Sequence, residues 1–144
     1  MRVAIATDHA GFALKQELKA WLNEQGHAVT DLGTDGTASV DYPDYGRVLA
    51  ETIASGRVER GIALCGSGIG IMIAANRNPA VRCALVSEPY SAALARSHND
   101  VNAIALGARL IGLDMAKQCV ATFLATDFLG GRHAARVDML KEPV

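Results

Sequence analysis

Five short apolar runs punctuate the chain: VAIAT (3–7), AVTDL (28–32), GIALC (61–65), RCALV (82–86) and NAIAL (102–106). They are continuous runs without strict alternation, the pattern of strands covered on both faces, as in a parallel sheet. Between them the period becomes helical. In GFALKQELKAWLNEQG (11–26), Leu14, Leu18, Trp21 and Leu22 share one face, and Gly26 supplies the C-terminal stop. Residues 44–56 repeat the design more weakly and close at Gly56, and residues 69–77 form a short third helix. EPYSAALARSHN (88–99) opens with Pro89 in its first turn, where proline is tolerated. GLDMAKQCVATFLATDF (112–128) turns Leu113, Ala116, Val120, Phe123 and Leu124 inward, and a last short helix is expected over 134–141. This alternation predicts an α/β fold, a three-layer α/β/α Rossmann-like domain on a five-stranded parallel sheet. No repeat, low-complexity tract or linker divides residues 1–144, so one domain is expected.

Ligands of open α/β sheets bind beyond the carboxyl ends of the strands. The residues expected there are Thr7-Asp8-His9, Gly33-Thr34, Cys65 to Gly70, Ser87-Glu88 and Gly107-Ala108-Arg109. Polar residues and glycines thus collect at one rim of an apolar sheet.

Composition removes several function classes. A net charge of −1 gives no electrostatic reason to expect nucleic acid or an anionic membrane as partner. No apolar stretch reaches the ~20 residues of a membrane span. The apolar run before Asp8 is too short for a secretory signal, so a cytoplasmic protein is expected. Cys65, Cys83 and Cys119 are odd in number and lack CxxC spacing, against both a disulfide framework and a thiolate metal site. His9, His27, His98 and His133 form no HxxxH pair. Neither a metal nor a cofactor is expected.

The segment CGSGIGIMIAAN (65–76) carries the candidate chemistry. Gly66, Gly68 and Gly70 make GxGxG, whereas the dinucleotide fingerprint needs glycine where Ile71 stands, and the GxxxxGK[ST] signature is absent. A nucleotide-binding module is therefore a weak reading, although Glu88 lies where a ribose-binding acid could sit. The turn reads either as a tight strand-to-helix connection without ligand or as a nest of N–H donors for a small oxyanion or phosphate. Free cysteines are commonly small buried hydrophobes, as Cys83 and Cys119 are expected to be. Cys65 differs, because it ends a strand just before a helix N-terminus, where a thiolate is stabilised and can abstract a proton from carbon. His27 reads as a solvated loop residue, His9 as a rim candidate, and His98 either as a dipole-favoured helix cap or as a functional group. Arg132 and Arg136, four apart, share a helical face that is either simply solvated or a phosphate clamp.

Taken together, TDHAGF (7–12), DYPDYG (41–46), CGSGIGIMIAAN (65–76), VSEPYSAALARSHNDVNAIALG (86–107) and GGRHAARV (130–137) resemble the type B ribose-5-phosphate isomerases. That family also contains allose- and galactose-phosphate isomerases. The likeness runs collinearly over nearly the whole chain. It implies a homodimer or a larger assembly such as a tetramer, and metal-free aldose–ketose isomerisation through a cis-enediol(ate). By position, Cys65 is then the base moving a proton between C1 and C2. The amides of Gly66, Ser67, Gly68, Ile69 and Gly70, with the Ser67 hydroxyl, stabilise the enediolate. His98 protonates the ring oxygen to open the furanose. Asp8, His9, Asn99 and Arg109 hold hydroxyls or phosphate, and Arg132 and Arg136 clamp the phosphate. One branch of the family carries a glutamate base where this chain has Ile71, which takes no proton, so the assignment to Cys65 stands. Ser67 stands where relatives often have threonine, and TDGTASV (34–40) matches nothing diagnostic. The preferred reading is ribose 5-phosphate to ribulose 5-phosphate. The alternatives are another aldose phosphate, including four-carbon and six-carbon sugars, or a non-catalytic sugar-phosphate sensor.

One geometric conflict follows. A ten-residue helix spans about 15 Å, and a crossover helix runs back toward the rim opposite Cys65. His98 and Asn99 are therefore expected to enter the site of a partner chain in a two-fold dimer.

Overall fold

The computed structural model describes residues 1–143, so the last residue of the domain expected over 1–144 lies outside it. The strands are β1 (Arg2–Thr7), β2 (Ala28–Asp31), β3 (Arg60–Cys65), β4 (Cys83–Leu85) and β5 (Ala103–Gly107). They form one all-parallel sheet in the order β2-β1-β3-β5-β4. The helices are α1 (Phe12–Glu24), α2 (Tyr42–Ala54), α3 (Ile69–Asn76), α4 (Pro89–Asn99), α5 (Leu113–Ala125) and α6 (Arg132–Met139), with a 3-10 turn over His9–Gly11.

Strand order and right-handed crossovers decide which helix covers which face. Connections moving one way along the sheet, β2 to β3 and β3 to β4, place α2 and α3 on one side. There Leu49, Ile53, Ile71 and Ala75 pack on Ala4, Ala63 and Ala105. Connections moving the other way, β1 to β2 and β4 to β5, place α1 and α4 on the opposite side with α5. Leu18, Leu22, Ala92, Ala95 and Phe123 pack there on Val3, Ile62, Leu64 and Ile104. Burying each large side chain contributes roughly 1.5–3 kcal/mol. Because both faces are covered at the centre of the sheet, β1, β3 and β5 read as nearly unbroken apolar runs. The loops after β1 and β3 leave toward opposite faces and open a crevice between these adjacent strands.

Several boundaries differ from the sequence reading. α2 starts at Tyr42 rather than 44, because Pro43 fits its first turn. α6 starts at Arg132 rather than 134, since Gly131, at φ 54°, completes the chain reversal that releases the helix. His27 is half-buried rather than solvated. Gly26 turns the chain so that the His27 N–H donates to Leu22 O, and the ring Nδ1 is shut from solvent without a partner. The inward face of α1 also carries Lys15, which is fully buried. Among the described residues no helix is long and apolar enough to cross a membrane.

Candidate active site

Cys65 is the last residue of β3 and is buried, its backbone level with Gly107 of β5. The chain then makes its glycine turn into α3. Gly68, at φ 80°, occupies the left-handed region, and a Cβ there would stand 2.8 Å from the Leu106 carbonyl carbon. Its N–H donates to Cys65 Sγ at 3.1 Å. This acceptor role is one a thiolate fills better than a thiol. The Ile69 N–H donates to Ser67 Oγ at 3.2 Å, leaving the serine hydroxyl proton free to turn outward. Two of the five amides expected to cradle an oxyanion, those of Gly68 and Ile69, are thus already engaged. Those of Gly66 and Ser67 have no partner among the described residues. The Gly70 amide lies in the first turn of α3, where helix N–H groups lack intrahelical acceptors.

A cleft of about 360 Å³ opens in front of the sulfur, lined by Asp8, Tyr42, Cys65, Gly66, Ser67, Gly70, Arg109 and Leu110. Asp8 is buried, and its Oδ1 accepts the Ala10 N–H at 3.0 Å. Arg109 lies over Gly66, its Nη1 3.3 Å from where a Cβ would stand. Tyr42 packs on Gly70 so closely that a Cβ there would meet its ring at 2.6 Å. Burial pushes the Cys83 thiol up to about 12 and raises that of Cys119 as well.

His9 stands beside this rim rather than in the cleft lining. Its Nδ1 accepts the Val40 N–H at 3.2 Å, so the neutral ring carries its proton on Nε2. That bond ties the undiagnostic segment 34–40 to the site. The other end of the segment is tied by buried Lys15, whose Nζ donates to Asp31 Oδ1 at 2.6 Å and to Thr34 O at 2.7 Å. Burial works to raise the Asp31 pKa, but Lys15, the Gly33 N–H and Lys19 together outweigh it and hold the carboxyl below its usual range.

His98, Asn99 and Arg136 lie elsewhere. They line a second cleft of about 360 Å³ with His133, Val137 and Leu140, and share no residue with the first. Arg82, which precedes β4, fixes this end of α4 by donating to the backbone oxygens of Asn99 (3.2 Å) and Asp100 (2.7 Å). Asp100 also accepts from Arg96 at 2.9 Å. The end of α4 therefore sits at the amino ends of the strands, and Cys65 at their carboxyl ends. Arg132 and Arg136 lie exposed on α6 beside the His98 cleft. Within one chain the structure thus brings together Asp8, Cys65, the glycine turn and Arg109, and separately His98, Asn99 and Arg136.

Sequence reasoning passed over Tyr42, Lys15 and His133. Tyr42 lay in the DYPDYG stretch without a role. Lys15 was hidden as an ordinary polar position on α1. His133 stacks on His98 with ring centroids 4.2 Å apart, a contact between α4 and α6 that no local pattern reveals.

The family model for Ribose/Galactose Isomerase matches residues 3–140. The chain is 45% identical over 139 residues to ribose-5-phosphate isomerase B of Escherichia coli, covering 96% of this chain and 93% of that one. It is 40% identical over 141 residues to the D-erythrulose-4-phosphate isomerase of Pectobacterium atrosepticum, covering 97% and 93%. The solved ribose-5-phosphate isomerase B of Clostridium thermocellum superposes with a TM-score of 0.97 at 48% identity, over 98% of this chain and 95% of that chain. With the fold, the glycine turn and near-complete coverage in agreement, the chain belongs to the ribose/galactose isomerase family.

Proposed function

We propose that this protein interconverts ribose 5-phosphate and ribulose 5-phosphate through a cis-enediolate, with Cys65 as the base. The observation that carries the reading is the Gly68 N–H aimed at Cys65 Sγ beside unengaged amides of the same turn. In the open-chain aldose, the thiolate takes the C2 proton and the electron pair moves onto O1. Gly66 and Ser67 amides, the Gly70 amide and the Ser67 hydroxyl face the charge that develops there. The proton then returns to C1, the O2 proton passes to O1, and C2 becomes the carbonyl. Asp8, His9 and Arg109 hold the hydroxyls.

Ring opening by His98 and phosphate binding by Arg132 and Arg136 come from a second copy of the chain. The separation of the two clefts within one chain supports this, because one small sugar has to meet both sets of groups. Ile69 and Ile73, one turn apart on α3 beside the glycine turn, are exposed large apolar residues that such a partner would cover. The test is an isomerisation assay across four-, five- and six-carbon aldose phosphates, with and without chelator. Preference for ribose 5-phosphate, unaffected by chelator, is expected. The D-erythrulose-4-phosphate isomerase among the relatives supports a second reading, a four-carbon substrate, which the same assay would report.

A further inference from the structure

The imidazoles of His98 and His133 lie face to face, centroids 4.2 Å apart and planes within 13°. Opening a cyclic hemiacetal relocates a proton. One proton has to reach the ring oxygen as its bond to C1 breaks, and another has to leave the anomeric hydroxyl as the C1 carbonyl forms. An imidazole that only donates accounts for half of this.

Resting on the isomerase reading above, we propose that His133 is the second ring-opening residue. It takes the anomeric hydroxyl proton while His98 gives its proton to the ring oxygen. The two oxygens are bonded to the same carbon, and two parallel imidazoles side by side can address both. Stacked imidazoles repel each other when both are charged, so one of the pair is favoured to stay neutral as the acceptor. Arg132 and Arg136 flank it with further positive charge. Partial burial first, and then the charges of His98, Arg132 and Arg136, hold the His133 pKa below the usual histidine range and keep it an acceptor. After the step His98 is neutral and His133 protonated. Exchange with water restores both, with no electrons transferred and no net proton consumed. Because both histidines belong to one chain, they enter the partner's site as a unit.

Ribulose 5-phosphate is the internal control. Its phosphate occupies the hydroxyl that would close a five-membered ring, so it reaches Cys65 already open. His133→Phe keeps an aromatic ring in the stack without a proton acceptor, and His133→Ala removes the ring. At limiting enzyme, both variants should lose about 10²-fold or more in initial rate on ribose 5-phosphate. Consumption of ribulose 5-phosphate should stay within about threefold of wild type, the released aldehyde cyclising by itself. The double variant His98→Asn/His133→Phe should be little worse than either single one, as residues acting as a unit are non-additive. Equal losses on both sugars would make His133 a phosphate ligand or a structural residue, and an unchanged ribose 5-phosphate rate would remove it from the reaction; either result overturns the proposal. A wild-type enzyme that turns over neither sugar would instead end the isomerase reading itself, and this inference with it.

Discussion

Mixing two dead enzymes should produce a live one. Cys65 is level with Gly107 at the carboxyl end of β5, whereas the end of α4 is pinned through Arg82 near its amino end. The five residues of β5 (Ala103–Gly107) alone separate these levels by about 13 Å at ~3.3 Å per residue. In the shared-site reading, Cys65 of one protomer works with His98 of the other. A Cys65→Ala chain and a His98→Asn chain, unfolded together in equal amounts and refolded, should assort at random into about half mixed dimers. Each mixed dimer has one site with both native residues and one with neither. Recovered activity should therefore approach about one quarter of wild type. Loss of a general acid or base costs roughly 10²–10⁴-fold, so each parent alone should fall below about 1%. Initial rates on ribose 5-phosphate give the activity, and native mass spectrometry gives the fraction of mixed dimers. If His98 served its own chain, both sites of a mixed dimer would carry one defect. Mixed dimers present at about half, with activity no greater than the parents', would refute the shared site.

Cys65→Ala should abolish isomerisation while a phosphorylated sugar still binds by calorimetry. Iodoacetamide at low excess should inactivate wild type, with Cys83 and Cys119 modified more slowly because burial raises both thiols; normal turnover in the alanine variant would end the assignment. Arg132→Ala or Arg136→Ala should weaken binding of the phosphorylated sugar by about 1.5–3 kcal/mol and leave the unphosphorylated sugar unchanged; equal losses would make the arginines structural. Lys15→Ala should cost about 3–5 kcal/mol in denaturant titrations, since it strips a buried pair of one partner, while Lys15→Met should cost less. The Asp31 carboxyl is held below its usual range, so its contribution is complete above the unfolded value of about 3.9 and is lost as pH falls through the lower folded value. Asp31→Asn should flatten acid destabilisation below about pH 4, and an unchanged profile would contradict the pairing.

The fold was legible because the central strands are covered on both faces: Val3 to Ala6 and Ile62 to Cys65 had to be apolar throughout, whereas the edge strand β2 is only partly covered and reads less cleanly as AVTD. The glycine turn was legible because Gly68 needs a positive φ and tolerates no side chain against Leu106. Other features were hidden because they depend on tertiary geometry. Lys15 shares the inward face of α1 with Leu18 and Leu22, and only β2, which brings Asp31 to its ammonium, shows why a lysine is tolerated there. The order of β5 and β4 reverses their order in sequence, which nothing in RCALV or NAIAL distinguishes. Engagement of the Gly68 and Ile69 amides by Cys65 and Ser67 follows from side-chain rotamers that a motif does not encode.

In the shared-site reading, the division between the two clefts also divides the chemistry. The groups proposed to hold the carbanion stand at adjacent strand ends of one chain: the sulfur on β3, the amides that follow it, Asp8 after β1 and Arg109 after β5. The groups proposed for ring opening and phosphate binding lie instead on α4 and α6, which meet through the His98–His133 stack. The fold keeps these two sets apart within one chain, because α4, a crossover helix between β4 and β5, carries its C-terminus to the far rim. A second copy solves that problem without changing the fold. In the shared-site reading it would deliver acid, base and arginines to the carboxyl rim from outside. The chain that folds so legibly as one domain is thus, in the shared-site reading, only half of each catalytic centre.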